Sequence, residues 1–205
     1  MIDLGLVALV FGPIFLLELP DKTFVATLIM STRYRPLAVW IGVGLAFGVQ
    51  CAVAVTAGQA IGYLPDWVVH TVTLAIFLIG AFVLFRSAPS AAASEQEQEA
   101  EFAEQVEGSD ARSFRRAGTA SFLVIFAAEW GDLSQLFTAS FAGRHGQPVS
   151  VFLGSWGALL LVSGLAALAG RWLVRRMPLA LLHYLGGAVC LGFAAWTTYE
   201  LATSL

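Results

Sequence analysis

The chain has 205 residues, of which 58% are hydrophobic and 12% charged, and its mean hydropathy is +0.78. That is more apolar surface than a soluble domain of this size can bury, so lipid is the expected solvent and a water-soluble globular protein is excluded. The net charge of -3 misleads: seven of the fourteen acids fall in one connecting segment, and no basic face with interleaved aromatics points to nucleic acid as a partner.

A membrane-spanning helix needs about 20 mostly apolar residues. Six such runs are legible, roughly at 5 to 30, 37 to 62, 67 to 86, 117 to 142, 149 to 172 and 179 to 201. The first is read as helix one rather than a cleaved leader, because Met1, Ile2 and Asp3 supply no basic n-region and no small-residue cleavage site precedes Glu18. Cys51 and Cys190 fall mid-run in different helices and read as small buried residues. His70, His145 and His183 lie near span ends and read as interfacial, not ligating. Trp40, Trp67, Trp172 and Trp196 lie toward helix ends, whereas Trp130 and Trp156 are deeper and read as packing residues.

Nine of the eleven basic residues fall on one face: Arg33, Arg35, Arg86, Arg112, Arg115, Arg116, Arg171, Arg175 and Arg176. The opposite face carries only Arg144, and Lys22 lies inside the first run. By the positive-inside rule the nine-residue face is cytoplasmic, which places both termini outside the cytoplasm in an inner (plasma) membrane.

Residues 87–112 are polar and low in complexity, with Glu95, Glu97, Glu99, Glu101, Glu104, Glu107 and Asp110 among them, and read as an acidic cytoplasmic linker. This segment separates a first three-helix repeat, 1–86, from a second, 113–205. A shift of 111 superposes Glu18 on Glu129, Asp21 on Asp132, Thr23 on Ser134 and Arg33 on Arg144; a shift of 112 superposes Pro36 on Pro148, Gly42 on Gly154, Gly58 on Gly170 and Gly80 on Gly192. Three spans is an odd number, so the second copy enters the membrane from the opposite side. The fold class is therefore an all-α integral membrane protein of six transmembrane helices in two inverted three-helix repeats, with a shared site near the midplane.

Ionisable groups at that depth cost at least a few kcal/mol each and persist where a pathway or partner compensates them. Four acids sit there, Glu18 and Asp21 in Leu-Glu-Leu-Pro-Asp-Lys-Thr and Glu129 and Asp132 in Ala-Glu-Trp-Gly-Asp-Leu-Ser. On an unbroken helix a spacing of three puts each pair about 60° apart and about 4.5 Å along the axis, on one face. Pro20 and Gly131 lie between the acids, and either can release backbone carbonyls beside them. Thr23, Ser134, Gln135 and Gln50 add oxygen donors, a set suited to a hard divalent ion such as Mn²⁺ or Ca²⁺. Crowded carboxylates in low dielectric hold protons when no cation is present, so metal and protons compete for the same oxygens. Lys22, four residues after Glu18, is a charge partner able to replace the cation.

At these two segments the chain resembles the Gdt family, membrane proteins related to transmembrane protein 165 and regarded as Ca²⁺/Mn²⁺ exchangers coupled to protons. The family pattern, Glu-x-Gly-Asp-Lys/Arg-Thr/Ser, occurs twice, once per three-helix half. Pro20 stands in place of glycine in the first copy and Leu133 in place of the basic residue in the second, while the acid spacing is kept in both. The resemblance implies that Glu18, Asp21 and Thr23 with Glu129, Asp132 and Ser134 form the ion site.

The expected function is thus secondary transport rather than enzymatic catalysis: a divalent cation leaves the cytoplasm in exchange for protons, the metal being substrate and not a resident cofactor. The alternatives are a lysine-exporter-type small-solute exporter and a passive cation channel. Trp-Gly-Asp resembles the Gly-x-Gly-Asp motif of intramembrane aspartyl proteases only superficially, since Glu129 occupies the first glycine position and no Tyr-Asp partner exists.

Overall fold

The computed structural model describes residues 2–19, 22–90, 93, 97, 113–174 and 179–204. The elements in order are α1 (Leu4–Glu18), α2 (Lys22–Arg33), α3 (Pro36–Ile61), α4 (Asp66–Ser87), a 3-10 turn at Ala88–Ser90, α5 (Phe114–Ala128), α6 (Leu133–His145), α7 (Pro148–Val174) and α8 (Leu179–Ser204). Among the described residues there is no strand. Most of the acidic connection lies outside the described residues.

Local chemistry sets several of these boundaries. Asp3 caps α1 by accepting from the Gly5 and Leu6 N–H groups at 2.9 and 3.1 Å. Pro36 opens α3, where its missing N–H is one that a first helical turn leaves unpaired anyway. Gly146 ends α6 with φ 60°, a left-handed conformation that glycine adopts without strain, and Pro148 then starts α7.

Two expected spans are not continuous helices. The run from 5 to 30 is broken between α1 and α2, whose axes meet at 70°. The run from 117 to 142 is broken between α5 and α6 at Glu129–Asp132. At the second break the physical reason is Gly131, which takes a positive φ, together with Asp132 and Gln135, whose side chains pair with backbone groups; the first motif carries a proline at the equivalent place, which has no N–H for a continuing helix. At about 1.5 Å per residue, each piece is shorter than the roughly 30 Å hydrocarbon layer. Three helices, Pro36–Ile61, Trp67–Ser90 and Pro148–Leu168, are long and apolar enough to cross a membrane, and the bent pair α1–α2 makes a fourth if counted as one span.

The long helices clamp the short ones across the chain. α3 packs against α5 and α6, α7 packs against α1 and α2, and α3 and α7 pack against each other. The approaches are close: a Cβ on Gly42 would lie 2.2 Å from the Gly118 carbonyl oxygen, one on Gly58 would lie 2.2 Å from that of Ala139, and one on Gly154 would lie 2.7 Å from that of Val7. Small residues at crossings let backbones meet where lipid gives no hydrophobic drive for association. Trp156 Nε1 donates to the Gly44 carbonyl at 2.8 Å, and Trp40 Nε1 to the Leu160 carbonyl at 2.9 Å, bracing α3 on α7. On the outer pair, α4 lies along α8, with Phe77 stacked on Phe193 at 5.2 Å and set edge-on to Phe137 at 4.7 Å. Leu45, Val49 and Val53 on α3, with Ile79, Phe82 and Val83 on α4, remain exposed, an apolar exterior that suits lipid.

Candidate functional site at two helix breaks

The second acidic motif is fully described, and its geometry differs from a helical face. α5 ends where the Glu129 N–H donates to the Ile125 carbonyl at 3.0 Å. Gly131 then turns the chain with φ 81°, and Asp132 is extended. Glu129 therefore stands at the C-terminal end of one helix and Asp132 at the N-cap of the next, instead of one turn apart on a single face.

Asp132 acts as a cap. Its Oδ2 accepts from the Ser134 N–H and from Ser134 Oγ, both at 3.3 Å. A carboxylate at a helix N-terminus is favoured by the unpaired N–H groups and by the helix dipole. Gln135 spans the break: its Nε2 donates to the Glu129 carbonyl at 2.6 Å, and its Oε1 accepts from the Gly131 N–H at 3.2 Å. Gln50 reaches across from α3 and donates to the Phe126 carbonyl at 3.2 Å. The carbonyls released by the unwinding are thus partly used by the two glutamines, which were expected as oxygen donors to an ion.

The first motif is described in part. Glu18 is the last residue of α1, Thr23 lies in the first turn of α2, and Asp21 and the side chain of Lys22 lie outside the described residues. Contacts of α1 with α6 and of α2 with α5 bring the broken pairs together.

Burial separates the acids. Glu18 and Glu129 are each 2% exposed, whereas Asp132 is half-buried. Taking a carboxylate out of water costs several kcal/mol even after the protein relaxes. Thr23 and Ser134 are buried beside them, as are Thr27 and Thr138, one turn further along α2 and α6. This second pair obeys the same shift of 111 and is legible in the sequence as hydroxyls four residues after those of the motifs. Among the described residues, no three histidine, cysteine, aspartate or glutamate side chains are grouped to hold a metal ion.

The remaining polar residues fall elsewhere. Trp130 is 59% exposed at the break, in ring contact with Phe126. His145 contacts the Phe141 carbonyl at 3.1 Å, and His70 lies 3.7 Å from Glu200. Glu200 also pairs with Arg144, which donates to Thr197 Oγ1 at 2.8 Å.

Comparison with known proteins finds relatives over nearly the whole chain. A relative in Arabidopsis thaliana, the chloroplastic protein PAM71, is 29% identical over 98% of this chain and 60% of its own length. The GDT1-like protein sll0615 of Synechocystis is 28% identical over 88% of this chain and 91% of its own. A Vibrio cholerae protein named "Putative manganese exporter" is 24% identical over 96% and 92%. The chain spans about three fifths of the length of the plant relatives it matches. No solved structure matches. The sequence model of the divalent cation/proton antiporter GDT1 matches residues 6–92 and 117–204, most of the chain, and the protein belongs to that family of multi-pass membrane proteins.

Proposed function

We propose that the protein exchanges a divalent cation, Mn²⁺ or Ca²⁺, for protons, and that the two helix breaks together form the exchange site. The observation that carries this reading is the pair of buried carboxylates, Glu18 and Glu129, each at the C-terminal end of a short helix. Asp21, Asp132, Thr23 and Ser134 complete the oxygen set. A hard ion is the natural occupant of oxygen donors, and the name of the Vibrio cholerae relative supports manganese. Cation entry displaces protons from the same carboxylates, so the two fluxes are coupled by competition.

The reading includes six spans in two inverted halves, with each broken pair forming one span. Support comes from the recurring order short, short, long, long and from matching crossings: Gly42 on Gly118, and Gly154 on Val7, are related by the shifts of 112 and 111 that superpose the two halves. The arginine bias supports a cytoplasmic linker and both termini outside. With an inward proton gradient, the cation then moves out of the cytoplasm.

The test is metal flux in proteoliposomes under an imposed pH gradient, for wild type, Glu18→Gln, Asp21→Asn, Glu129→Gln and Asp132→Asn. Gradient-driven Mn²⁺ or Ca²⁺ movement, lost in each variant, is the expected result. Flux that persists in all four variants overturns the site, and none in the wild type overturns the exchange.

A further inference from the structure

Among the described residues, four hydroxyl oxygens are shut away from solvent with no hydrogen-bond partner: Thr23 Oγ1, Thr27 Oγ1 and Ser31 Oγ on α2, and Ser121 Oγ on α5. Thr23, Thr27 and Ser121 are at most 1% exposed. Spaced by four, the three on α2 follow one face of the helix, rising about 6 Å per step. α2 packs against α5, which brings Ser121 to the same region.

Their placement is one-sided. α2 runs from the first break to Arg33, and α5 runs from Arg115 and Arg116 to the second break. All four hydroxyls therefore lie between the buried carboxylates and the arginine-rich face. Beyond the breaks, hydroxyls are engaged: Ser134 with Asp132, Thr138 with Ser155 at 2.9 Å, Ser140 with the Leu136 carbonyl, and Thr197 with Arg144.

Buried serine and threonine in helices commonly return their hydroxyl to the carbonyl four residues back, as Thr138 does to Ser134. The four near the arginine face do not. Buried polar atoms left unmatched by protein are rare and mark places where water or an ion supplies the missing bond. Neither Thr27 nor Ser121 belongs to an acidic motif, so the site alone does not account for them.

We propose that this row of hydroxyls lines the route by which water, protons and the cation reach Glu18 and Glu129 from the arginine-rich side, a route that is closed in the conformation described. The inference rests on the exchange reading and adds the side of access and the residues that form it.

The test is thiol accessibility in the full-length chain with Cys51→Ala and Cys190→Ala as background. Single substitutions Thr27→Cys, Ser31→Cys and Ser121→Cys are near-isosteric and are compared with Thr138→Cys and Ser155→Cys. Arg33→Cys and Tyr63→Cys report the two faces. The probe is the membrane-impermeant cation methanethiosulfonate ethyltrimethylammonium, added from either side of sealed vesicles. Thiols at 27, 31 and 121 are expected to react from the side that labels Arg33→Cys, while those at 138 and 155 stay unreacted from both. Silence at 27, 31 and 121 while Arg33→Cys reacts overturns the route, as does equal reaction at 138 and 155. If the three react but the wild type carries no gradient-driven Mn²⁺ flux, the route stands and the exchange reading fails. Flux without labelling leaves exchange standing and removes the route.

Discussion

Gln135 Nε2 and the Glu129 carbonyl oxygen lie 2.6 Å apart across the second helix break, and the same amide accepts from Gly131. One side chain thus supplies a donor and an acceptor to backbone groups that neither α5 nor α6 can satisfy. Gln135→Leu is expected to destabilise the protein by about 1–3 kcal/mol, because the Gly131 N–H loses its partner and the Glu129 carbonyl keeps only the long bond from the Asp132 N–H at 3.4 Å. Intrinsic tryptophan fluorescence during thermal unfolding in detergent measures this, and unchanged melting would mean the break holds without its bracket.

Gly131 and Gly146 share a positive φ, 81° and 60°, and in both cases an added Cβ would meet open space. The cost of alanine is therefore conformational, about 1–2 kcal/mol at either position. Comparable losses of stability are expected from Gly131→Ala and Gly146→Ala, with transport reduced only by the first. Equal transport in the two would separate the break from function.

Gly42 and Gly192 give the contrasting case. The Cβ of Gly42→Ala would lie 2.2 Å from the Gly118 carbonyl, whereas that of Gly192→Ala would meet nothing within 4 Å. Overpacking at Gly42 is expected to cost about 1–3 kcal/mol or more, and Gly192→Ala to be neutral or to stabilise by about 0.5–1 kcal/mol. Melting temperatures of the two variants decide the matter.

Arg144 and Glu200 are unequal partners, with side chains 8% and 35% exposed. Glu200→Leu leaves a buried guanidinium with Thr197 and is expected to cost about 3 kcal/mol. Arg144→Leu leaves a carboxylate with water at hand and should cost about 1 kcal/mol or less. The double variant should lose less than the sum, and a thermal melting cycle in which the two losses simply add would deny the pairing.

Much of the plan was legible in the residues. Apolar runs marked the helices, and the repeated Glu-x-x-Asp marked where the chain would be unusual. Gly131 pointed to local unwinding, which the structure bears out with a positive φ. The change of face was not legible, because periodicity assumes the helix it is measured on. Gln135 looked like a ligand one turn after Asp132; only once the helix stops does its amide meet two unpaired backbone groups. Arg144 and Glu200 lie 56 residues apart and are brought together because α6 and α8 both pack against α4, which no local spacing encodes.

The crossed clamping of α3 on α5 and α6, and of α7 on α1 and α2, bears on how the chain is made. The first four helices leave the ribosome with the face of α3 around Gly42 and Gly58 uncovered, since the segments that seat there are encoded downstream of the linker. α1 and α2 likewise wait for α7. Neither stretch completes its own interior, so maturation is a late event that follows insertion of the last long helices. A connection long enough to let the two stretches find each other is then an assembly requirement, whatever else residues 91–112 do.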